Sequence, residues 1–348
     1  MNLLVHAWTT MAAVQFQSGR SRDPFRVKGG PFLVCATLTG AALCSFAGCH
    51  REHPALELYV DAVMLKELNQ HDLAIERLKQ AVESDKRFSS AYSMLGETYR
   101  ETRDYENSVA YYRKAVELEP WSFQNHFNVG RVYQDMGELK LAAKAYGRAC
   151  ELEPDHLQAH MTAARCYFQI KDYGQALRYA SRAAQIDPNV GEAQAFLGEI
   201  YASQKDYDRA AASYKQALAR NANNAELMMS LAAVYLKAGR YTEARDLLTL
   251  LTQMQPGNAA AYRSLGHCCL KLDDVDHAIE SYRRAVFLDG RDWEARKGLG
   301  VAYMVNSLRT GQGQLRLKAV EQWRLSLNIE PDQPHRETLL ELIRRYAR

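Results

Sequence analysis

The 348-residue chain is poor in the two residues that interrupt regular structure, with 9 prolines and 20 glycines. That excludes collagen-like and turn-rich β architectures, which need one or the other throughout. An excess of charge is also missing. The net +3 comes from the first 48 residues, where Arg20, Arg22, Arg26 and Lys28 face Asp23 alone. Taking these from the totals of 44 basic and 41 acidic side chains leaves 40 of each sign in the other 300 residues. A body balanced in this way offers no electrostatic basis for binding nucleic acid. Long apolar runs are confined to one place near the N-terminus, which excludes a multi-span membrane protein. Hydrophobic residues still make up 47% of the chain and tyrosines number 20, enough for a folded, mainly helical body.

The N-terminal 49 residues differ from the rest. From Pro31 to Cys49 no side chain is charged, and the basic residues lie just before this run. A positive stretch, an apolar stretch and then small residues is the layout of an export signal. Phe46-Ala47-Gly48-Cys49 resembles the bacterial lipobox, with Phe46 in place of the usual leucine. The resemblance implies residues 1–48 as a leader, lipidation of Cys49, and 49–54 as a short tether. With His50 rather than aspartate after the cysteine, it also implies an outer-membrane location facing the periplasm. The length of the leader suggests that translation starts downstream, at Met11 or Val27. Two alternatives stay open: the run as a permanent membrane-spanning helix, and an intracellular protein whose N-terminus is a misread coding region.

From residue 55 the chain repeats itself at a step of 34. Gly96, Gly130, Ala164, Gly198, Ala232, Gly266 and Gly300 form one column. Tyr99, Tyr133, Tyr167, Tyr201, Tyr235, Cys269 and Tyr303 form a second, three residues later. Small residues recur at Ala74, Ser108, Ala142, Ala176, Ala210, Ala244 and Ala278. Pro120, Pro154, Pro188 and Pro256 sit near the ends of units, replaced by Ala222 and Gly290 in two. A fixed period of this length marks a repeat array. Within a unit, Tyr92, Leu95, Gly96 and Tyr99 fall on one helical face, as do Val109, Tyr112, Ala115 and Val116. The proline is expected to end the second helix. The pattern L-G-x-x-Y, A-x-x-x-Y, A, P resembles the tetratricopeptide repeat, as in Leu95-Gly96…Tyr99 and Ala142…Tyr146…Ala149…Pro154. The resemblance covers 55–333 and implies an all-α, right-handed solenoid of helix-turn-helix units. Eight units are expected, the last carrying seven extra residues around Ser307–Leu315. A capping helix is expected at 334–348, turning Leu339, Leu340, Ile343 and Tyr346 inward.

No constellation for catalysis, metal or cofactor outweighs a packing role. His156 and His160 stand four apart, but His160 shares a column with Tyr92, His126 and Tyr262, which favours packing. Gly311-Gln312-Gly313 lacks both the strand and the third glycine of a dinucleotide loop. Cys150 and Cys166 lie on helices that should pack together; buried free thiols are favoured over a bridge. The remaining surface is the concave groove that first helices line in this family. Its contact positions hold Phe127, Arg131, Gln134, Met161, Arg165, Phe168, Met229, Leu236, Arg263 and His267. Aromatics, methionines and arginines suit a partner peptide or helix better than a small substrate. The expected function is a non-catalytic adaptor, anchored in the cell envelope, that binds other proteins. An intracellular regulatory repeat protein or enzyme accessory subunit is the alternative.

Overall fold

The structure is a computed structural model that describes residues 54–347; the leader and Cys49 lie outside the described residues. Seventeen helices follow one another, and among the described residues there is no strand. They are α1 (Pro54–Glu67), α2 (His71–Ser84), α3 (Ser89–Glu101), α4 (Tyr105–Leu118), α5 (Phe123–Asp135) and α6 (Leu139–Leu152). Next come α7 (Leu157–Gln169), α8 (Tyr173–Ile186), α9 (Gly191–Ser203), α10 (Tyr207–Arg220), α11 (Ala225–Lys237) and α12 (Tyr241–Met254). The array closes with α13 (Ala259–Lys271), α14 (Val275–Leu288), α15 (Trp293–Thr310), α16 (Gly313–Ile329) and α17 (Arg336–Tyr346). Successive helices pair as hairpins, and each hairpin packs on the next. The first helices from α3 to α15 begin at steps of 34. The fold is an all-α repeat array.

One turn, used seven times, sets the hairpins. Asn69, Arg103, Gly137, Lys171, Lys205, Gly239 and Asp273, each 34 after the last, adopt left-handed φ between 57° and 79°. The amide of the next residue donates back to the first helix, as from Asp104 to the Tyr99 carbonyl at 2.9 Å. This closes the helix end in a Schellman-type turn. The same Asp104 then caps α4 by accepting from the Asn107 amide, and Asp172, Asp206 and Asp274 do likewise for α8, α10 and α14. A left-handed conformation is costly for a lysine, which has a Cβ, and free for glycine. Lys171→Gly and Lys205→Gly together are therefore expected to stabilise the protein by about 1 kcal/mol. A thermal melt checks this; an unchanged or lower midpoint refutes the strain.

Proline does not end the second helices. They stop two residues before Pro120, Pro154, Pro188 and Pro256, and stop at the same place where Ala222 and Gly290 stand instead. The residue after the helix leaves the helical region in both kinds, Glu119 at φ −129° and Asn221 at φ −142°. The side-chain column at His126, His160 and Arg296 secures this junction: each donates to the carbonyl six residues back, Pro120, Pro154 and Gly290. His160 therefore carries its proton on Nε2, facing the Pro154 carbonyl at 3.0 Å. His156 points elsewhere, accepting from the Ala159 amide to cap α7.

The last hairpin is longer than the others. α15 has 18 residues against 13 in α3, α16 has 17 against 14 in α4, and the turn between is one residue shorter. Its core is Trp323 with Met304 and Val320, closed by Leu339 and Ile343 of α17. Arg336, Glu337, Glu341, Arg344 and Arg345 on the other side of α17 are exposed. The opposite end of the array has no such cover among the described residues: Leu56, Val60 and Met64 on α1 are 52%, 42% and 56% exposed.

Candidate functional site

The first helices carry the groove positions, and small residues bring each first helix close to its own second helix. A Cβ built on Gly96 would lie 2.5 Å from the Tyr112 ring; on Gly130, 2.8 Å from Tyr146; on Gly198, 2.9 Å from Tyr214; on Gly266, 2.9 Å from Tyr282. Those rings reach through toward the groove, where their hydroxyls end. Tyr112 Oη donates to Glu97 Oε2 at 2.6 Å, and Tyr146 Oη donates to Gln134 Oε1 at 2.8 Å.

At the N-terminal end a cavity of about 420 Å³ is lined by Tyr59, Ser93, Glu97, Asn125, Asn128 and Arg131, among others. Ser93 Oγ donates to Asn125 Oδ1, while Gln124 and Arg131 donate to Asn128 Oδ1. Glu97 is the electrostatic centre. Burial alone would raise its pKa, but hydrogen bonds from Arg100 and Tyr112 and the charges of Arg100 and Arg131 outweigh this and hold it at about 2. The same partner and burial push the Tyr112 phenol well above its usual range. Because the folded carboxyl titrates below the unfolded one, its contribution is complete above about pH 4.5 and is lost as pH falls toward 2. Stability is expected to fall across that window by up to about 2 kcal/mol more in the native protein than in Glu97→Gln. Parallel curves, measured by denaturant melts at several pH values, would refute the assignment.

In the middle, Phe127 packs on Phe123 and edge-on against Tyr146, with centroids 5.5 and 5.1 Å apart. Phe168 meets Phe196 edge-on at 5.5 Å. Arg165 lies over the Phe196 ring and pairs with Glu192. At the C-terminal end a second cavity, about 460 Å³, is lined by Leu236, Arg263, His267, Lys271, Lys297 and Val301, among others. Arg263 is held by Asp292 at 2.8 Å and Glu294 at 3.0 Å. Burial, and then the Lys271 charge, lower the pKa of His267.

The ten groove residues thus differ in availability. Gln134, Arg165 and His267 are exposed; Phe127, Arg131, Phe168, Met229, Leu236 and Arg263 are half-buried. Met161 is 4% exposed and packed in the core, out of reach of a bound peptide. Glu97, Asn125 and Lys297 join the lining without having been singled out; the 34-residue step alone, applied to every first-helix position, would have reached them. Cys150 and Cys166 are free thiols, pushed up by burial to about 12 and about 11. Among the described residues no cluster of three or more His, Cys, Asp or Glu side chains suits a metal ion. No described helix is long and apolar enough to cross a membrane.

Helical hairpins stacked at a 34-residue step, with a lined groove on the first helices, define a tetratricopeptide-type scaffold, a class that mediates protein–protein interactions. Within it the chain belongs to the family described as the cilia and flagella-associated protein 70 C-terminal domain, whose model matches residues 49–298. No curated protein matches. Among solved structures, the Naa15/Naa10 complex bound to HypK-THB is similar at TM-score 0.56 and 16% identity, over 84% of this chain and 45% of that one. YrrB, described as a TPR protein with an unusual peptide-binding site, is 21% identical over 57% of this chain and 97% of its own, at TM-score 0.47. PilF of Pseudomonas aeruginosa is 23% identical over 61% and 96%, at TM-score 0.44.

Proposed function

We propose that the chain is a non-catalytic adaptor that binds a peptide or helix of a partner protein in the first-helix groove and is held at a membrane by lipid on Cys49. The observation that carries the adaptor reading is the lining of the groove. Polar and charged groups at each end flank a middle section of aromatic side chains, with Gln134, Arg165 and His267 open to a partner. Partner recognition with few polar contacts around aromatic anchors is a common way to gain specificity. Two observations support the anchor. The family match begins at residue 49, where processing would begin the mature chain. The first helix starts at Pro54 and exposes Leu56, Val60 and Met64, a surface suited to lie near lipid.

A second reading, an intracellular scaffold with no lipid, is favoured by the family itself, whose description is of a cilia- and flagella-associated protein. Intact mass and membrane partitioning, measured beside Cys49→Ala, separate the two. A mass fitting residues 49–348 plus acyl chains, lost in the variant, supports the anchor; an unprocessed, non-partitioning protein refutes it. The groove is tested separately with a photo-crosslinking residue at Gln134, Arg165 or His267 and, as a control, at exposed Lys114 on a second helix. Capture of a protein from the groove positions alone is expected, and equal capture from Lys114 refutes the groove.

A further inference from the structure

The second-helix side of the array carries a cleft of about 1000 Å³ between α12 and α14. Its floor includes Thr249, Tyr262, Leu265, Cys269, Ile279 and Ser281. Cys269 occupies a repeat position that holds tyrosine in the five preceding units, and Thr249 and Ser281 occupy positions that hold large side chains in some of them. The equivalents of Thr249, Cys269 and Ser281 in an earlier unit are Lys79, Tyr99 and Tyr111, each five steps of 34 away. There Tyr99 stacks on Tyr111 with centroids 5.4 Å apart and planes 4° apart, and the Lys79 ammonium sits 5.7 Å over the Tyr99 ring. At the corresponding place two units on, Tyr167 stacks on Tyr179 at 5.4 Å and 6°. Lys215 lies 5.8 Å over Tyr235 in the unit before the cleft.

Every unit from 89 to 254 keeps at least the first of these rings, as Tyr99, Tyr133, Tyr167, Tyr201 or Tyr235. The unit at 259–288 does not: Cys269 stands at that position, with Ser281 where two other units place Tyr111 and Tyr179, and Thr249 where two others place Lys79 and Lys215. The cleft lies at this break in the tyrosine column. Its walls are already aromatic, with the Arg284 guanidinium 6.0 Å from the Tyr262 ring and 5.2 Å from that of Phe287, which is 77% exposed at the rim. Arg245, Arg283 and Arg284 are balanced around the cleft by Asp274, Asp276 and Glu280, so the site favours no net charge in its occupant.

We propose that this cleft is a docking site, distinct from the groove, for an aromatic side chain presented by a partner protein, which takes the place of the missing tyrosine ring. The occupant is an aromatic ring rather than an aliphatic chain because the repeat itself places a tyrosine at the Cys269 position in every preceding regular unit. Tyr262, Leu265, Ile279 and Phe287 supply the apolar part of the lining beside the charged groups, and apolar walls with placed polar groups are of the kind that holds small ligands.

The probe is p-cresol, the side chain of tyrosine, titrated against the full chain and read by saturation-transfer NMR and by the melting temperature. Saturable binding with a rise in melting temperature is expected. Cys269→Tyr fills the cleft from within and is expected to weaken binding at least about tenfold while itself raising the melting temperature. Ser281→Phe provides the same block from the facing helix, should the first variant fail to fold. Gln134→Ala in the groove is expected to leave p-cresol binding unchanged. Absence of saturable binding to the native chain overturns the proposal, as does equal binding by the filled variants. Dodecanoate binding where p-cresol does not would assign the cleft to an acyl chain and overturn the aromatic occupant.

Discussion

Trp323→Ala is expected to cost about 4 kcal/mol, in the range for deleting a large buried aromatic. Trp323 is 1% exposed, donates its indole N–H to the Lys297 carbonyl at 3.3 Å, and fills the space left by Gly300, where a Cβ would lie 2.4 Å away. The loss should be local. In a repeat array stability is close to a sum of units and nearest-neighbour interfaces, and Trp323 joins α15, α16 and the closing helix α17. Hydrogen exchange is expected to show 293–346 opening well before the units at 89–254. A uniform loss of protection along the whole array would show that the end hairpin is not an independent contributor.

The second large effect is at Gly96. Alanine there forces its Cβ onto the fully buried Tyr112 ring, and a loss of about 3 kcal/mol is expected, the upper end for overpacking. The other hairpins show how the contact is relieved. Counting sixteen residues on from each small residue, Gly96, Gly130, Gly198 and Gly266 meet tyrosines. Ala62, Ala164 and Ala232 instead share their core clusters with Leu78, Ala180 and Leu248, the residues at the same spacing. Glycine accompanies a ring, and alanine accompanies a narrower side chain. Gly96→Ala with Tyr112→Leu should therefore lose at least about 1.5 kcal/mol less than the two single changes summed. Gly96→Ala with Tyr112→Phe, which keeps the ring and removes only the hydroxyl, should show no such recovery. Urea melts of the three single and two double variants decide it, and recovery with phenylalanine would refute the steric account.

The helices, their order and the closing helix α17 were readable from periodicity, since a 34-residue column reports the same burial many times over. The pairing of Gly96 with Tyr112 was not read, although both residues stood in noted patterns, because a column records one position at a time and the contact joins two. Helix ends were misjudged for a related reason. Proline near the end of four units suggested a cause, yet Arg220 and Leu288 end their helices in the same place without it. For the groove, the positions of Gln134, Arg165 and His267 could be read, but not that Met161 is turned into the core. Periodicity fixes the helix face, and the depth of a side chain depends on how closely the neighbouring hairpin approaches. The cleft at Cys269 had a visible sign in the sequence, the break in the tyrosine column, whose meaning appears only once Thr249 and Ser281 are seen beside it.

In the hairpins before the last, the sixteen-residue spacing between the small residue and the side chain it accommodates has a consequence for how such a chain can change over generations. Both members lie inside one hairpin, so the fit travels with the unit. A duplication or unequal exchange whose break falls between hairpins hands on each pair intact, whatever the neighbours carry. A break inside the sixteen residues can join a ring from one unit to an alanine from another and leave the hairpin overfilled. Arrays of this kind should therefore lengthen, shorten and recombine freely at the junctions between hairpins, while the two helices of any one hairpin descend together.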